Sequence, residues 1–359
     1  MPDPLVFLAS TVMDSPEHVR RYVEGNLAGG VDHLVVFLDK PSGPRQDEVA
    51  DYLDGHPAVT CVRAGSGWWA GARPKELNER QCINANITKD VLAGLGLEDA
   101  WIFHVDGDEV VRAGAAALAG RPPGPSGVRL SVREAVSRRT WDGEPTLFKR
   151  ELPEADLRLL EGLGLVAEPT NQSYFRGHLM GKSGVRVGER AWLTLHKVVA
   201  EDGTPWPLHE GEGLELFHYE SYSAEEFIRK WTSMVASGPE ANYRADRQPV
   251  ARTLRVLINR GLEPEALERQ LLRYYERFVE EEVEALRDLG VLVETDPLVP
   301  LTPADPAAPA AVVPTADLAA ALKGRRRTDK RGFFKGTSAV APRPPKPTGG
   351  RLARLVRRP

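Results

Sequence analysis

The first 110 residues alternate short apolar runs with amphipathic stretches, the pattern of a mostly parallel sheet covered by helices. Leu5–Ala9 reads as a strand. Ser15-Pro16-Glu17 supplies a cap and a proline at the first helical position, and Val19, Tyr22, Val23 and Leu27 keep helical spacing until Gly29-Gly30 stops them. The next strand, His33–Leu38, is apolar without alternation, which suits burial on both faces. A helix over Gln46–Leu53, a strand over Val59–Arg63, a long helix over Glu76–Leu95 and a strand over Ala100–Val105 complete the unit. After Val111 the pattern loosens into short strands and Gly/Pro loops as far as Tyr219. Ser223–Glu226 is a capping box opening a helix that runs to Val235. Glu263–Leu289 then sets Leu267, Leu271, Tyr275, Phe278 and Leu286 on one stripe, so these two helices predict a lid or packing layer.

From Leu301 onward Pro, Ala and Arg dominate and large apolar residues are scarce. Such a composition cannot bury enough surface to offset its ordering entropy, so the fold is expected to end near Pro297, with a short helix at Thr315–Lys323. Charge sharpens this division. Residues 301–359 carry 13 Lys and Arg against 3 Asp, a net +10, within a chain of 47 basic and 51 acidic residues, which leaves −14 for residues 1–300. An acidic body argues against nucleic-acid binding, which needs clustered Lys and Arg. The basic tail, ending in RLARLVRR, suits peripheral contact with anionic lipid. No apolar run is longer than Leu34–Leu38, far short of the roughly 20 residues that span a bilayer. The N-terminus lacks the basic and apolar build of a secretory signal, so a cytoplasmic address is expected, at most peripheral to the inner face of the membrane. Cys61 and Cys82 are too few for a disulfide framework or zinc site and read as packing residues.

The strongest chemical motif is His104-Val105-Asp106-Gly107-Asp108-Glu109, at the carboxyl end of a buried strand. Ligands of open parallel sheets bind outside those ends, so the carboxylates would meet an arriving substrate. Carboxylates at i and i+2 around a glycine can turn toward one hard cation that keeps positions open for diphosphate oxygens. Other apparent motifs fail. Gly177–Ser183 has three residues between its glycines where a P-loop needs four, Gly162–Ala167 follows no convincing strand, and His209-Glu210 lacks the second histidine of a zincin. Trp68-Trp69, in a Gly-rich loop, are expected to fill the space beneath it.

The order strand, helix, strand ending at Asp39, helix, strand, helix, strand and then DGD resembles the GT-A fold of nucleotide-sugar glycosyltransferases, specifically the family 2-like group. The segments that carry the resemblance are GGVDHLVVFLDKPSG at Gly29–Gly43, ERQCINAN at Glu79–Asn86, DAWIFHVDGDEVV at Asp99–Val111, GHLMGKSGVRVG at Gly177–Gly188, LTLHKV at Leu193–Val198 and LFHYESYSAEEFIRKW at Leu216–Trp231. Together they cover about residues 5–232. The resemblance implies an α/β glycosyltransferase domain over residues 1–220, with a Rossmann-like, mostly parallel sheet flanked by helices. A helical extension over 221–296 and a disordered basic tail over 297–359 follow. It also implies that Asp106, Asp108 and His218 hold Mn²⁺ or Mg²⁺ against a nucleotide diphosphate, with Glu109 bracing the turn or the sugar. Asp39 would face base or ribose, Arg80 and Gln81 the diphosphate or donor sugar, Lys182 a phosphate, and Asp14 the nucleotide weakly; His196 lies where relatives often have histidine.

Two departures bear on nucleotide recognition. Relatives commonly continue the second-strand motif to Ser-x-Asp, whereas this chain reads Asp39-Lys-Pro-Ser42-Gly43, and their early Asn-Glu pair is Met13-Asp14 here. The implied activity is inverting transfer of a sugar to a hydroxyl acceptor in a saccharide, glycolipid or small metabolite. Such transfer needs a carboxylate to take the acceptor's proton while cations stabilise the leaving diphosphate. Among Glu168, Asp202, Glu210, Glu212, Glu215 and Glu220, the base candidate is Glu210, in a Pro/Gly-rich loop just before His218. The rival readings are a catalytically inactive binding or scaffold protein and a metal-dependent phosphohydrolase drawing on His104, His178, His196 and His218.

Overall fold

The computed structural model describes residues 3–71, 73–119, 126–236, 248–301 and 313–336. Its first part runs β1 (Val6–Val12), α1 (Pro16–Ala28), β2 (His33–Leu38), α2 (Gln46–Asp54), β3 (Val59–Arg63), α3 (Leu77–Gly94) and β4 (Trp101–His104). β1 is buried at all seven positions because it is central, pairing in parallel with β2 and β4, while β2 pairs in parallel with β3. The spatial order is therefore 3-2-1-4. Helices cover both faces, which is why these strands read as unbroken apolar runs. Val19, Tyr22 and Val23 of α1 join Val49 and Leu53 of α2 under one face, and Ile83, Ile87 and Val91 of α3 pack on the other. Trp68 and Trp69 are buried in that second layer, filling the space beneath their loop as expected.

The middle of the chain contributes β5 (Glu109–Arg112), α4 (Ala115–Leu118), β6 (Gly127–Ala135), β7 (Leu147–Lys149), α5 (Glu154–Gly162) and α6 (Asn171–Tyr174). β8 (Lys182–Arg186), β9 (Ala191–Leu193), β10 (Val198–Ala200), β11 (Leu208–His209) and β12 (Glu215–His218) follow. Antiparallel β8 continues the sheet beyond β4 and leads to β6 and β7. β12 lies parallel to β6 and antiparallel to β5, and this register sets His218 beside both Glu109 and Glu134. The observed class is the expected one, a mixed α/β fold whose mostly parallel central sheet is flanked by helices.

The last part holds α7 (Ala224–Ala236), α8 (Gln248–Ile258), α9 (Pro264–Phe278), α10 (Val283–Asp288), β13 (Leu292–Glu294) and α11 (Thr315–Gly324). Helices α7, α8 and α9 share a small core of Phe227, Trp231, Leu254, Leu271 and Tyr275. The single helix expected over Glu263–Leu289 is broken into α9 and α10. The break turns Glu281 inward, where its backbone N–H donates to Ser137 O at 2.9 Å and its carboxylate accepts from buried Lys149 at 2.6 Å. Phe278, expected on the buried stripe, is 57% exposed.

The disordered tail expected from residue 297 also needs correction. Leu301 N–H bonds to Ala28 O at 2.9 Å, and α11, close to the short helix read from the sequence, docks on the body. Leu318 and Leu322 are fully buried beside Trp68 and α3, with Phe333 and Phe334 packed against the same cluster. Lys330 Nζ donates to Trp68 O at 2.8 Å and sits 4.3 Å from the centre of that indole ring. A handful of apolar residues spaced among arginines is enough here because the partner surface is already ordered. The RLARLVRR segment lies outside the described residues. No helix of the described residues is long and apolar enough to cross a membrane.

Candidate active site

The chain leaves β4 at His104 and turns through Asp106-Gly107-Asp108 before Glu109 opens β5. Glu109 closes this turn on itself, its Oε2 accepting from Asp106 N–H at 2.7 Å while its own N–H donates to Asp106 O at 3.2 Å. A Cβ on Gly107, between the aspartates, would come within 2.9 Å of a Val12 methyl and force that side chain to shift. Lys182 begins β8 fully buried and reaches Asp106 Oδ2 at 2.7 Å and Glu109 Oε2 at 3.4 Å. Gly181 before it has φ +59, and a Cβ there would collide with Leu130 O, so the backbone that aims Lys182 admits only glycine. Gln81 on α3 donates to the other Asp106 oxygen at 2.5 Å.

Asp108 faces the opposite way. Its Oδ2 accepts from Lys230 Nζ of α7 at 2.9 Å, and Lys230 spans to Glu220 Oε2, also at 2.9 Å. His218 Nε2 stands 3.8 Å from the same oxygen of each carboxylate. Behind it the His178 ring stacks on His218 with centroids 5.0 Å apart and meets His196 edge-on at 4.4 Å, while His178 Nε2 lies 3.5 Å from Glu109 Oε1. Sequence reasoning did not place Lys230 in the site, and it named His178 only among the histidines open to the phosphohydrolase reading. Lys230 stood inside a quoted motif, and its only signal was its place on a helix that follows His218.

A cleft of about 680 Å³ at the carboxyl ends of β1, β2 and β4 gathers Asp14, Asp39, Arg80, Gln81, Asp106 and Asp108. A smaller cavity of about 290 Å³ continues from Asp14 and Asp108 beneath α7, past His18, Glu226 and Lys230. Asp39 is 5% exposed and held at both oxygens by Arg80, at 2.7 and 2.8 Å, with Arg73 adding a contact at 2.8 Å. The remaining Arg80 N–H groups donate to Pro74 O and Lys75 O, so Arg80 fixes the cleft's edge rather than reaching into it. Asp14 accepts from His18 Nδ1 at 2.9 Å and from Arg229 Nη1 at 3.1 Å, tying α1 to α7 across the cavity.

Glu210 is displaced from all of this. It is 57% exposed and pairs with Arg129 at 2.7 Å. His209 pairs with Val128 at the start of β6, whereas His218 pairs with Glu134 near its end. Six residues of strand separate these registers, about 20 Å. The carboxylate that does lie beside Asp108 is Glu220, 4% exposed.

Charge compensation governs ionisation here. Burial opposes the charge on Asp106, yet the Lys182 ammonium prevails and holds this carboxyl below the usual range. Glu109 is lowered in the same way, burial again overcome by Lys182, and Asp108 well below its ordinary value by Lys230 and His218 against burial. Burial alone accounts for most of the descent of His104 to about 4 and His196 to about 3, which keeps both neutral. His218 is raised, burial being outweighed by its contact with Asp108.

The residues could hold a divalent cation, in a ligand set that differs from the expected one, if Lys230 gave up the Asp108 and Glu220 oxygens it holds here. Asp108, His218 and Glu220 each bring a ligand atom within 4.8 Å of the others, as do Glu109, His178 and His218. Among the described residues, buried Glu109 Oε1, His178 Nδ1 and His218 Nδ1 have no hydrogen-bond partner. Asp106 belongs to neither group, its oxygens being taken by Gln81 and Lys182. Another large cavity, about 530 Å³ between α3, β9 and Phe333, contains none of the clustered aspartates. Compared with known protein families and with curated proteins, the chain gives no match.

Proposed function

We propose that the protein is a metal-dependent, inverting glycosyltransferase of GT-A type that moves a sugar from a nucleotide-diphosphate donor to a hydroxyl acceptor. The observation that carries this reading is the cleft outside strands 3-2-1-4, where Asp14, Asp39, Asp106 and Asp108 converge, Asp106 on buried Lys182. Fold alone does not fix chemistry, so the argument rests on these side chains. Asp108 and His218 would hold Mn²⁺ or Mg²⁺, which when bound supplies Lewis-acid stabilisation of the departing diphosphate. Lys182, buried and paired with Asp106 and Glu109, holds the acidic turn in place beneath the cleft, so that turn needs no reorganisation when substrate arrives. Asp39, locked by Arg80, presents a rigid wall for base or ribose. Asp14 and its partners close the cleft on the α7 side.

The direct test is thermal stability with UDP, GDP, dTDP and CDP, each with and without Mn²⁺. A ligand bound only by the folded state raises its stability by mass action, so one nucleotide should raise the melting temperature only when metal is present. In the Asp108→Asn variant that metal-dependent increment, read against the variant's own ligand-free melting temperature, should vanish. No shift with any nucleotide would turn the reading to an inactive binding protein. The convergence of His178 and His218 on Glu109 favours the phosphohydrolase as second reading, and steady release of phosphate from p-nitrophenyl phosphate would establish it.

A further inference from the structure

Antiparallel pairing of β12 with β5 sets His218 directly opposite Glu109. The two ring nitrogens of His218 face different neighbours. Nε2 stands 3.8 Å from one oxygen each of Asp108 and Glu220, the same two oxygens that Lys230 holds. Nδ1 faces the chain at Gly177, where an added Cβ would lie 2.7 Å from it. With glycine there, the His178 ring stacks on His218 at a centroid distance of 5.0 Å, and His178 Nε2 comes to 3.5 Å from Glu109 Oε1. Glu109 and His218 are 1% and 3% exposed, and His178 is mostly buried.

Hydrogen bonding leaves this group unsatisfied. Glu109 holds the acidic turn with Oε2 alone, which accepts from Asp106 N–H and faces Lys182. Among the described residues, Glu109 Oε1 has no hydrogen-bond partner, and neither has Nδ1 of His178 or of His218. A buried polar atom left unmatched costs about 1–3 kcal/mol, so three in one place point to a ligand. A carboxylate oxygen and two neutral imidazoles all offer lone pairs, and one cation with short bonds satisfies them together. Lys182 is a single ammonium between Asp106 and Glu109, so that pair keeps a net negative charge. With metal–ligand bonds of roughly 2.0–2.2 Å, tetrahedral ligands stand about 3.4 Å apart, close to the 3.5 Å between Glu109 and His178. Ligand atoms of all three residues lie within 4.8 Å of one another, so closing the set takes ring movements of about 1 Å. Imidazole nitrogen suits zinc and its late first-row neighbours, whereas Mg²⁺ prefers oxygen.

We propose that Glu109, His178 and His218 bind one zinc-class divalent ion, which ties β5, β12 and the segment before β8 together behind the acidic turn. The ion takes His218 through Nδ1 and leaves both bonds of Lys230 in place, so the proposal does not depend on the glycosyltransferase reading. Its role is that of a brace. It fixes Glu109, whose other oxygen shapes the turn carrying Asp106 and Asp108.

The experiment uses the tag-free full chain, stripped with EDTA and free of nucleotide. In competition with a chromophoric chelator, one equivalent of Zn²⁺ should bind with a dissociation constant below about 1 μM and raise the melting temperature, while millimolar Mg²⁺ does neither. Long-range ¹H–¹⁵N NMR should show zinc moving the ring signals of two of the eight histidines. His178→Gln should weaken zinc binding at least about 100-fold, its zinc-free melting temperature serving as the check on folding; if that variant does not fold, the wild-type NMR decides. Asp108→Asn, which belongs to the other face of His218, should lose less than about tenfold. No zinc binding, fewer than two histidines moved, full affinity in His178→Gln, or a loss in Asp108→Asn as large as in His178→Gln would each overturn the proposal. A Mn²⁺-dependent nucleotide shift without zinc binding removes this site and leaves the donor reading; zinc binding without a nucleotide shift does the reverse.

Discussion

His18 offers a prediction whose size follows from the structure. Its ring is 12% exposed and lies between two carboxylates, with Nδ1 2.9 Å from Asp14 and Nε2 3.2 Å from Glu226. Burial disfavours the imidazolium, but those two hydrogen bonds prevail and raise the pKa from 6.5 to about 9. Because the folded state binds this proton more tightly, the stabilisation is complete below pH 6.5 and is lost as pH rises through 9. Over that interval the slope is about 1.4 kcal/mol per pH unit, for a total near 3 kcal/mol. At about 2.1 cal/mol/K of unfolding entropy per residue, this equals roughly 5 °C in melting temperature for a body of this size. Lys330 titrates in the same range with opposite sign, since burial pulls its pKa down to about 8. The measurement is therefore the difference between wild type and His18→Gln, by thermal and urea unfolding at pH 6, 7.5, 9 and 10. The gap should be widest at pH 6 and close by pH 10. A gap that stays constant, or grows with pH, would refute the assignment of an imidazolium between Asp14 and Glu226.

Lys182→Met should destabilise the fold by about 3–5 kcal/mol, since it leaves Asp106 and Glu109 facing each other without their buried cation; urea unfolding at pH 7 reads this, and a loss under 1 kcal/mol would count against the pairing. Leu318→Ala should cost about 2–5 kcal/mol because the side chain is fully buried. Were residues 313–336 undocked, the same change would fall within about 0.5 kcal/mol of wild type, the usual range for surface sites.

The N-terminal half was legible because its information is local. Buried parallel strands write themselves as His33–Leu38, and Ser15-Pro16 announces α1. The cluster was legible as far as Asp106, Asp108 and His218, where several acids at a strand end or a histidine in a quoted motif stand out. What escaped are pairings set by strand register and helix docking. Lys230 meets Asp108 across 122 positions of sequence, and no periodicity encodes that. Glu210 was chosen for nearness to His218 along the chain, yet β11 and β12 join β6 at opposite ends. The tail was judged on average composition, which hides the well-placed Leu318, Leu322, Phe333 and Phe334.

The docking of α11 has a consequence for how the chain is made. Its partners, α3 and the loop holding Trp68, leave the ribosome about 230 residues before it, which at synthesis rates of roughly 5–20 residues per second is some 10–50 s. Throughout that interval the part of this surface that α11 covers lacks its partner, although β8, β9 and β10 reach the rest of the same cluster earlier. A nascent chain with this apolar flank still bare is a natural client for chaperones that bind exposed hydrophobic surface during translation.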